Sequence, residues 1–178
     1  MDTISDAFGN AQEAATQGLI ETGAFFHANR WSYGTSSNYS VVLSHEPLRI
    51  LITASGRDKS KLGLNDFVIV DETGRAIDPT FAKPSAETLL HVVAAREAGA
   101  GAILHTHSIW GTLLSDLYAS EKGFAIEGLE MLKGLHGITT HATRKWVEVK
   151  KTRSTFRISR RLFRSVCAMP ETRCATVI

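Results

Sequence analysis

Apolar positions recur at helical spacing at the start of the chain and then alternate with polar ones, so the sequence opens as a helix and turns into sheet. Ile4, Phe8, Ala11, Ala15, Leu19 and Ile20 mark one face of a helix over residues 5–30, which Gly9, Gly18 and Gly23 weaken enough to allow a break. A polar turn at 34–38 leads into Tyr39, Val41 and Leu43, and after a turn at 45–47 a second apolar run, 48–53, completes a predicted hairpin. A third strand follows over 66–70, closed by the turn 71–74. Pro84 and Ser85 then announce a helix start and Gly99 a stop, with Leu89, Val92, Val93 and Arg96 at helical spacing between them. The pattern next predicts a strand over 102–106, a helix over 109–118, a short extended piece at 124–126, the segment EGLEML at 127–132, and strands at 137–141 and 145–149. Beyond Val149 neither a helical nor a strand period is sustained.

Composition changes this picture in one place. With 178 residues, 43% hydrophobic and 21% charged, the chain suits one domain with a single sizeable core. The net charge of +2, however, divides unevenly: from Lys150 onward eight Lys and Arg stand against one acid, leaving 12 basic and 17 acidic residues before it. We therefore divide the chain into a folded domain, 1–149, and an atypical basic tail, 150–178, read as disordered or as the product of a shifted reading frame. The acidic body argues against a nucleic-acid partner. No apolar run approaches the roughly 20 residues that span a bilayer, and the N-terminus lacks the basic start and apolar middle of a signal peptide. The expected location is the cytoplasm, without a membrane partner and with Cys167 and Cys174 as free thiols.

Candidate chemistry centres on GAILHTHSIW, residues 101–110. His105 and His107 lie two apart at the end of an extended run, so their imidazoles share a face and can meet one ion. Zinc takes neutral histidine nitrogen at about 2.0–2.1 Å and, in catalytic sites, three protein ligands with one position open. The position at a strand's C-terminal end suits a ligand crevice if the sheet contains parallel strands. Glu87, in the first turn of the predicted helix, either complements the helix dipole or points into the cavity of the histidine pair. Ser55 and Gly56, with Lys59 just beyond, form a turn whose backbone donors could approach an anion, although a plain connection explains them equally.

Five segments in order, TSSNYS (35–40), ITASGRDK (52–59), KPSAETLLH (83–91), AILHTHS (102–108) and EGLEMLKGL (127–135), resemble the class II aldolase and adducin head superfamily, most closely its methylthioribulose-1-phosphate dehydratase branch. The resemblance spans residues 25–149 and implies a three-layer α/β/α fold around a central mixed sheet, a homotetramer, and one zinc ion per subunit. It places the metal on His105 and His107 together with a third histidine in a Gly-His-Gly-like stretch nearer the C-terminus, but no histidine follows His141. It assigns the phosphate pocket to Ser37, Asn38, Ser55, Gly56 and Ser85, with Ser37 standing where glycine is usual. Glu87 is the catalytic carboxylate of the aldolase members and joins the substrate site here, whereas in the dehydratase branch the acid–base role falls to Glu130.

The implied function is that of a zinc-dependent hydro-lyase of methionine salvage. It would convert 5-methylthioribulose 1-phosphate to 2,3-diketo-5-methylthiopentyl 1-phosphate, the metal stabilising an enediolate and Glu130 moving the proton. Two alternatives accompany it: a class II sugar-phosphate aldolase or epimerase on the same metal and phosphate sites, and a non-catalytic binding protein like the adducin heads. The missing third histidine argues for weak metal binding and reduced activity of the chain as it stands.

Overall fold

The computed structural model describes residues 3–80, 82–134, 139–140, 145–148 and 174–177. In chain order the elements are α1 (Thr3–Ala28), β1 (Asn38–His45), β2 (Leu48–Thr53), β3 (Phe67–Val70), α2 (Thr88–Ala98), β4 (Ala102–His105), α3 (Ile109–Leu117), β5 (Gly123–Ile126), a 3-10 helix (Glu130–Gly134), β6 (Lys145–Glu148) and β7 (Cys174–Val177). They fall into two compact units, Met1–Ser108 with Ile158–Ile178, and Ile109–Arg157.

The glycines do not break α1, which is continuous through all three. Gly23 has a packing reason to be there. A Cβ at that position would stand 2.8 Å from both Leu62 Cδ1 and the Lys59 carbonyl oxygen, whereas one at Gly18 meets nothing within 4 Å. Gly23→Ala is therefore expected to destabilise the fold by about 1–3 kcal/mol, because a backbone carbonyl cannot rotate away. Gly18→Ala is expected to stabilise it by up to about 1 kcal/mol through helix propensity alone. Urea unfolding of the two variants measures the difference, and equal midpoints would contradict the packing argument.

In the first unit the strands run in the order β3-β2-β1-β4-β7. The predicted hairpin is present as β1 and β2, antiparallel, with a register irregularity between Val42 and Ser44. Strand alternation then sorts side chains onto two faces. Tyr39, Leu51, Phe67 and Leu104 pack with Leu19 and Phe26 of α1 on one side. Ile50, Ile52, Val68 and Val70 pack with Val92 and Ala95 of α2 on the other, where Leu90, Ala94 and Ile103 extend the same layer. The arrangement is helix, sheet, helix, an α/β fold with a mixed sheet between its helices, as expected.

Antiparallel pairing dominates this sheet, and β4, which ends on His105, also has a parallel neighbour. β3, β2, β1 and β4 pair antiparallel, and the parallel pair is β4 with β7. The end of β4 is thus set beside the start of β1, with Asn38 opposite His105 in the register. The location of the histidine pair follows from that antiparallel register. Helix α2 begins at Thr88, past the entry expected at Pro84 and Ser85, so Glu87 is its N-cap residue, outside the first turn.

Within the second unit, β5 and β6 pair antiparallel from Gly123 opposite Glu148 to Ile126 opposite Lys145. Of the strand predicted at 137–141, only residues 139–140 are described, and His136 and His141 lie outside the described residues. Most of the basic tail, residues 150–173 and 178, is likewise outside them. Cys174–Val177 of that tail form β7, in register with Ala102–His105. Pattern reading found no period there because this pairing is supplied by the edge of β4, not by alternation along the segment itself.

Candidate metal centre

Three elements of the first unit converge at one end of the sheet. β4 ends on His105, and the backbone N–H of His107 two residues on donates to the Trp31 carbonyl at 3.0 Å, which fixes the chain beyond the strand. Glu87 is brought in by the turn before α2, where Thr88 N–H and its hydroxyl both return to the Ser85 carbonyl. A bridge between Ala54 and Pro84, and the Ser55 N–H bond to the Lys83 carbonyl at 2.8 Å, tie that turn to the end of β2.

The resulting cluster is Glu87, His105 and His107, whose ligand atoms all lie within 4.8 Å of one another. His105 Nε2 is 2.8 Å from His107 Nε2 and 3.5 Å from Glu87 Oε2. The two rings meet edge to face at 77°. His105 is 8% exposed, Glu87 is half-buried and His107 is exposed, so one flank of the cluster opens to solvent. Burial lowers the His105 pKa, the Glu87 carboxylate raises it in part, and His107 lowers it further. A neutral imidazole offers its lone pair, which is the form a metal ion takes.

The group fits a divalent cation on donor chemistry and on spacing. Two imidazole nitrogens and a carboxylate oxygen form a His₂Glu set of the kind that catalytic zinc uses. Arms of about 2.0–2.1 Å in tetrahedral geometry put neighbouring ligands about 3.3 Å apart. Two of the three separations, 2.8 and 3.5 Å, bracket that value, and all three lie within 4.8 Å. Glu87 thereby stands as a third donor, a place the sequence reading reserved for a histidine near the C-terminus. Behind His105, its Nδ1 is buried without a hydrogen-bond partner among the described residues. Among the described residues the ring is constrained from the Glu87 side.

That side is a connected polar chain. Asn38, 3% exposed, donates from Nδ2 to Glu87 Oε2 at 2.5 Å. Its Oδ1 faces His91 Nε2 at 2.5 Å, and His91 Nδ1 faces Ser40 Oγ at 2.7 Å. His91 went unremarked as a site residue in the sequence, although it closes the KPSAETLLH segment. The legible signal was its spacing: four residues after Glu87 puts it one turn further along the same helix.

The expected phosphate residues separate. Asn38 is committed at both ends of its amide to Glu87 and His91. Ser37 is buried, accepts from the Ser32 hydroxyl at 2.8 Å, and holds φ at +72°, the left-handed region that glycine adopts without strain. Ser55 and Gly56 form an exposed turn with Gly56 at φ +73°. Ser85, half-buried, accepts from the Glu87 N–H at 3.3 Å, which places it beside the cluster. Lys59 is 2% exposed and donates to the carbonyls of Arg57 at 2.7 Å and Thr35 at 3.3 Å. Burial lowers its pKa, and its role is to tie the two turns together. Glu130 belongs to the second unit, exposed on its 3-10 helix with Lys133 Nζ at 2.6 Å.

Known proteins place the chain in a family. The class II aldolase and adducin N-terminal domain family matches residues 17–164. A methylthioribulose-1-phosphate dehydratase of Geobacillus thermodenitrificans (strain NG80-2) is 41% identical over 115 residues, 65% of this chain and 54% of that protein. The corresponding dehydratase of Pseudomonas aeruginosa (strain LESB58) is 41% identical over 131 residues, 73% of this chain and 62% of its own length. Among solved structures, an L-fuculose 1-phosphate aldolase superposes with a TM-score of 0.53 at 28% identity, over 58% of this chain and 49% of that one. The chain thus spans 54–62% of the length of these two dehydratases.

Proposed function

This chain belongs to the class II aldolase and adducin family, and from that premise we propose that it takes part in dehydrating 5-methylthioribulose 1-phosphate to 2,3-diketo-5-methylthiopentyl 1-phosphate. The observation that carries the reading is the 41% identity to relatives named as dehydratases, in a chain that also brings Glu87, His105 and His107 together. The aldolase likeness is weaker, at 28% identity. For a non-catalytic head, a three-donor cluster open to solvent has no use.

The proposed roles follow from what each residue can do. Glu87, His105 and His107 hold one divalent ion, which we take to be zinc. When bound, it supplies Lewis acidity toward the carbonyl end of the ketose. The Ser55–Gly56 turn and Ser85 offer hydroxyl and backbone donors to the phosphate, a remote handle that orients the reacting carbons. Asn38 supports Glu87 through its side-chain amide. Glu130 takes the proton from the carbon beside the carbonyl on a carboxylate oxygen and returns it to the departing hydroxyl, which leaves as water. The enol that remains tautomerises to the second ketone. Among the described residues no helix is long and apolar enough to cross a membrane. The setting we propose is a cytoplasmic homotetramer.

The test is incubation of the zinc-loaded protein with the ketose phosphate, read by mass. Loss of one water with the carbon chain intact is the expected result. Cleavage to a shorter phosphate would overturn the dehydratase reading in favour of an aldolase.

A further inference from the structure

We infer that His91 is a positioning residue whose Nε2–H tautomer, with Ser40 donating to its Nδ1, orients Asn38 so that its amide nitrogen holds Glu87 in place for the metal. Donor and acceptor counting gives the direction. Glu87 as a carboxylate only accepts, so the Asn38 group facing Glu87 Oε2 is Nδ2. Oδ1 is then turned toward His91 and only accepts, so His91 Nε2 carries the proton. His91 Nδ1 is left as a lone pair, and the Ser40 hydroxyl donates to it.

The opposite tautomer reverses every bond. Nδ1–H would donate to Ser40 Oγ, Nε2 would accept from Asn38, and the Asn38 oxygen would face the Glu87 carboxylate, two acceptors in contact. One buried side chain thereby selects which face Asn38 shows to the site. Asn38, Ser40 and His91 are all buried, with Ser40 and His91 fully so, and bulk water does not compete for these bonds. Burial, with His105 nearby, holds His91 neutral, its pKa pushed down to about 3. The arrangement supplies outer support from the Glu87 side, while His105 Nδ1 has no hydrogen-bond partner among the described residues.

The inference rests on the metal reading of Glu87 and not on the identity of the substrate. Outer-shell partners typically command about 10–100-fold in metal affinity. His91→Leu, which removes the donor, is expected to weaken zinc affinity by about 10-fold or more. His91→Gln, whose amide N–H can reach the Nε2 position, is expected to recover most of that loss. Zinc competition against a chelator on the full chain reads both, with metal-free melting temperatures recorded alongside. The imidazole nitrogen resonances of His91 in the unaltered chain test the tautomer without any variant, and Nε2–H is expected. An Nδ1–H tautomer, or parental zinc affinity in folded His91→Leu, would overturn the proposal. Absence of zinc from the unaltered chain would instead sink the metal reading, a separate outcome.

Discussion

Acidification is expected to destabilise this protein from about pH 6.5 downward, by about 1.4 kcal/mol per pH unit through His91 alone. The sign follows from the depressed pKa. The unfolded chain protonates His91 near its ordinary value of about 6.5, whereas the folded protein resists until about 3. Between those values the unfolded state binds more protons, so stability is fully present above about pH 6.5 and is lost as pH falls toward 3. Across the whole window the loss approaches about 5 kcal/mol, comparable to the entire stability of a marginal domain. Burial lowers the pKa of His105 as well, adding to the loss in the same direction, although Glu87 partly opposes it. Urea unfolding of the metal-free protein between pH 7 and 4 measures the slope. His91→Gln is expected to flatten it by about one proton, and identical slopes in the two proteins would show that His91 is not buried neutral.

His107→Ala is expected to lower zinc affinity by more than 100-fold while leaving the metal-free fold within about 0.5 kcal/mol of the parent. His107 is exposed, so removing its ring opens no core cavity. It leaves Glu87 and His105 as the donors of the cluster among the described residues. A lost ligand should exceed the roughly 10–100-fold that outer partners command. Zinc competition and metal-free urea unfolding on the same preparation separate ligand loss from misfolding. Near-parental affinity in the variant would remove His107 from the site.

The elements were legible in the sequence wherever one pattern decided them. The alternation at Tyr39, Val41 and Leu43 became β1, the apolar run before Thr53 became β2, and Pro84 with Gly99 bracketed α2. What pattern could not show was pairing between distant segments. Nothing in the local sequence of Asn38 or His105 says that they lie opposite each other, yet that register assembles the site. The antiparallel run of β3-β2-β1-β4 was likewise invisible, because antiparallel and parallel neighbours leave similar apolar traces in strands buried on both faces.

The same limit governed the site. The His-x-His pair was readable because two donors two residues apart on a strand share a face. Glu87 was readable only as a choice between dipole and cavity, and the fold places it at the N-cap with its carboxylate toward His105. Asn38 was assigned to phosphate by motif, while the partners that claim its amide are 49 and 53 residues away in sequence. His91 escaped because a histidine on an apolar helix face resembles core.

The central claim is that Glu87, His105 and His107 form one divalent-cation site, and it is tested most directly by counting metal. The unaltered chain, equilibrated with zinc and dialysed against metal-free buffer near pH 7.5, is expected to retain one ion per chain. Retention of no zinc under those conditions, or of the same amount after His107→Ala, would contradict the account.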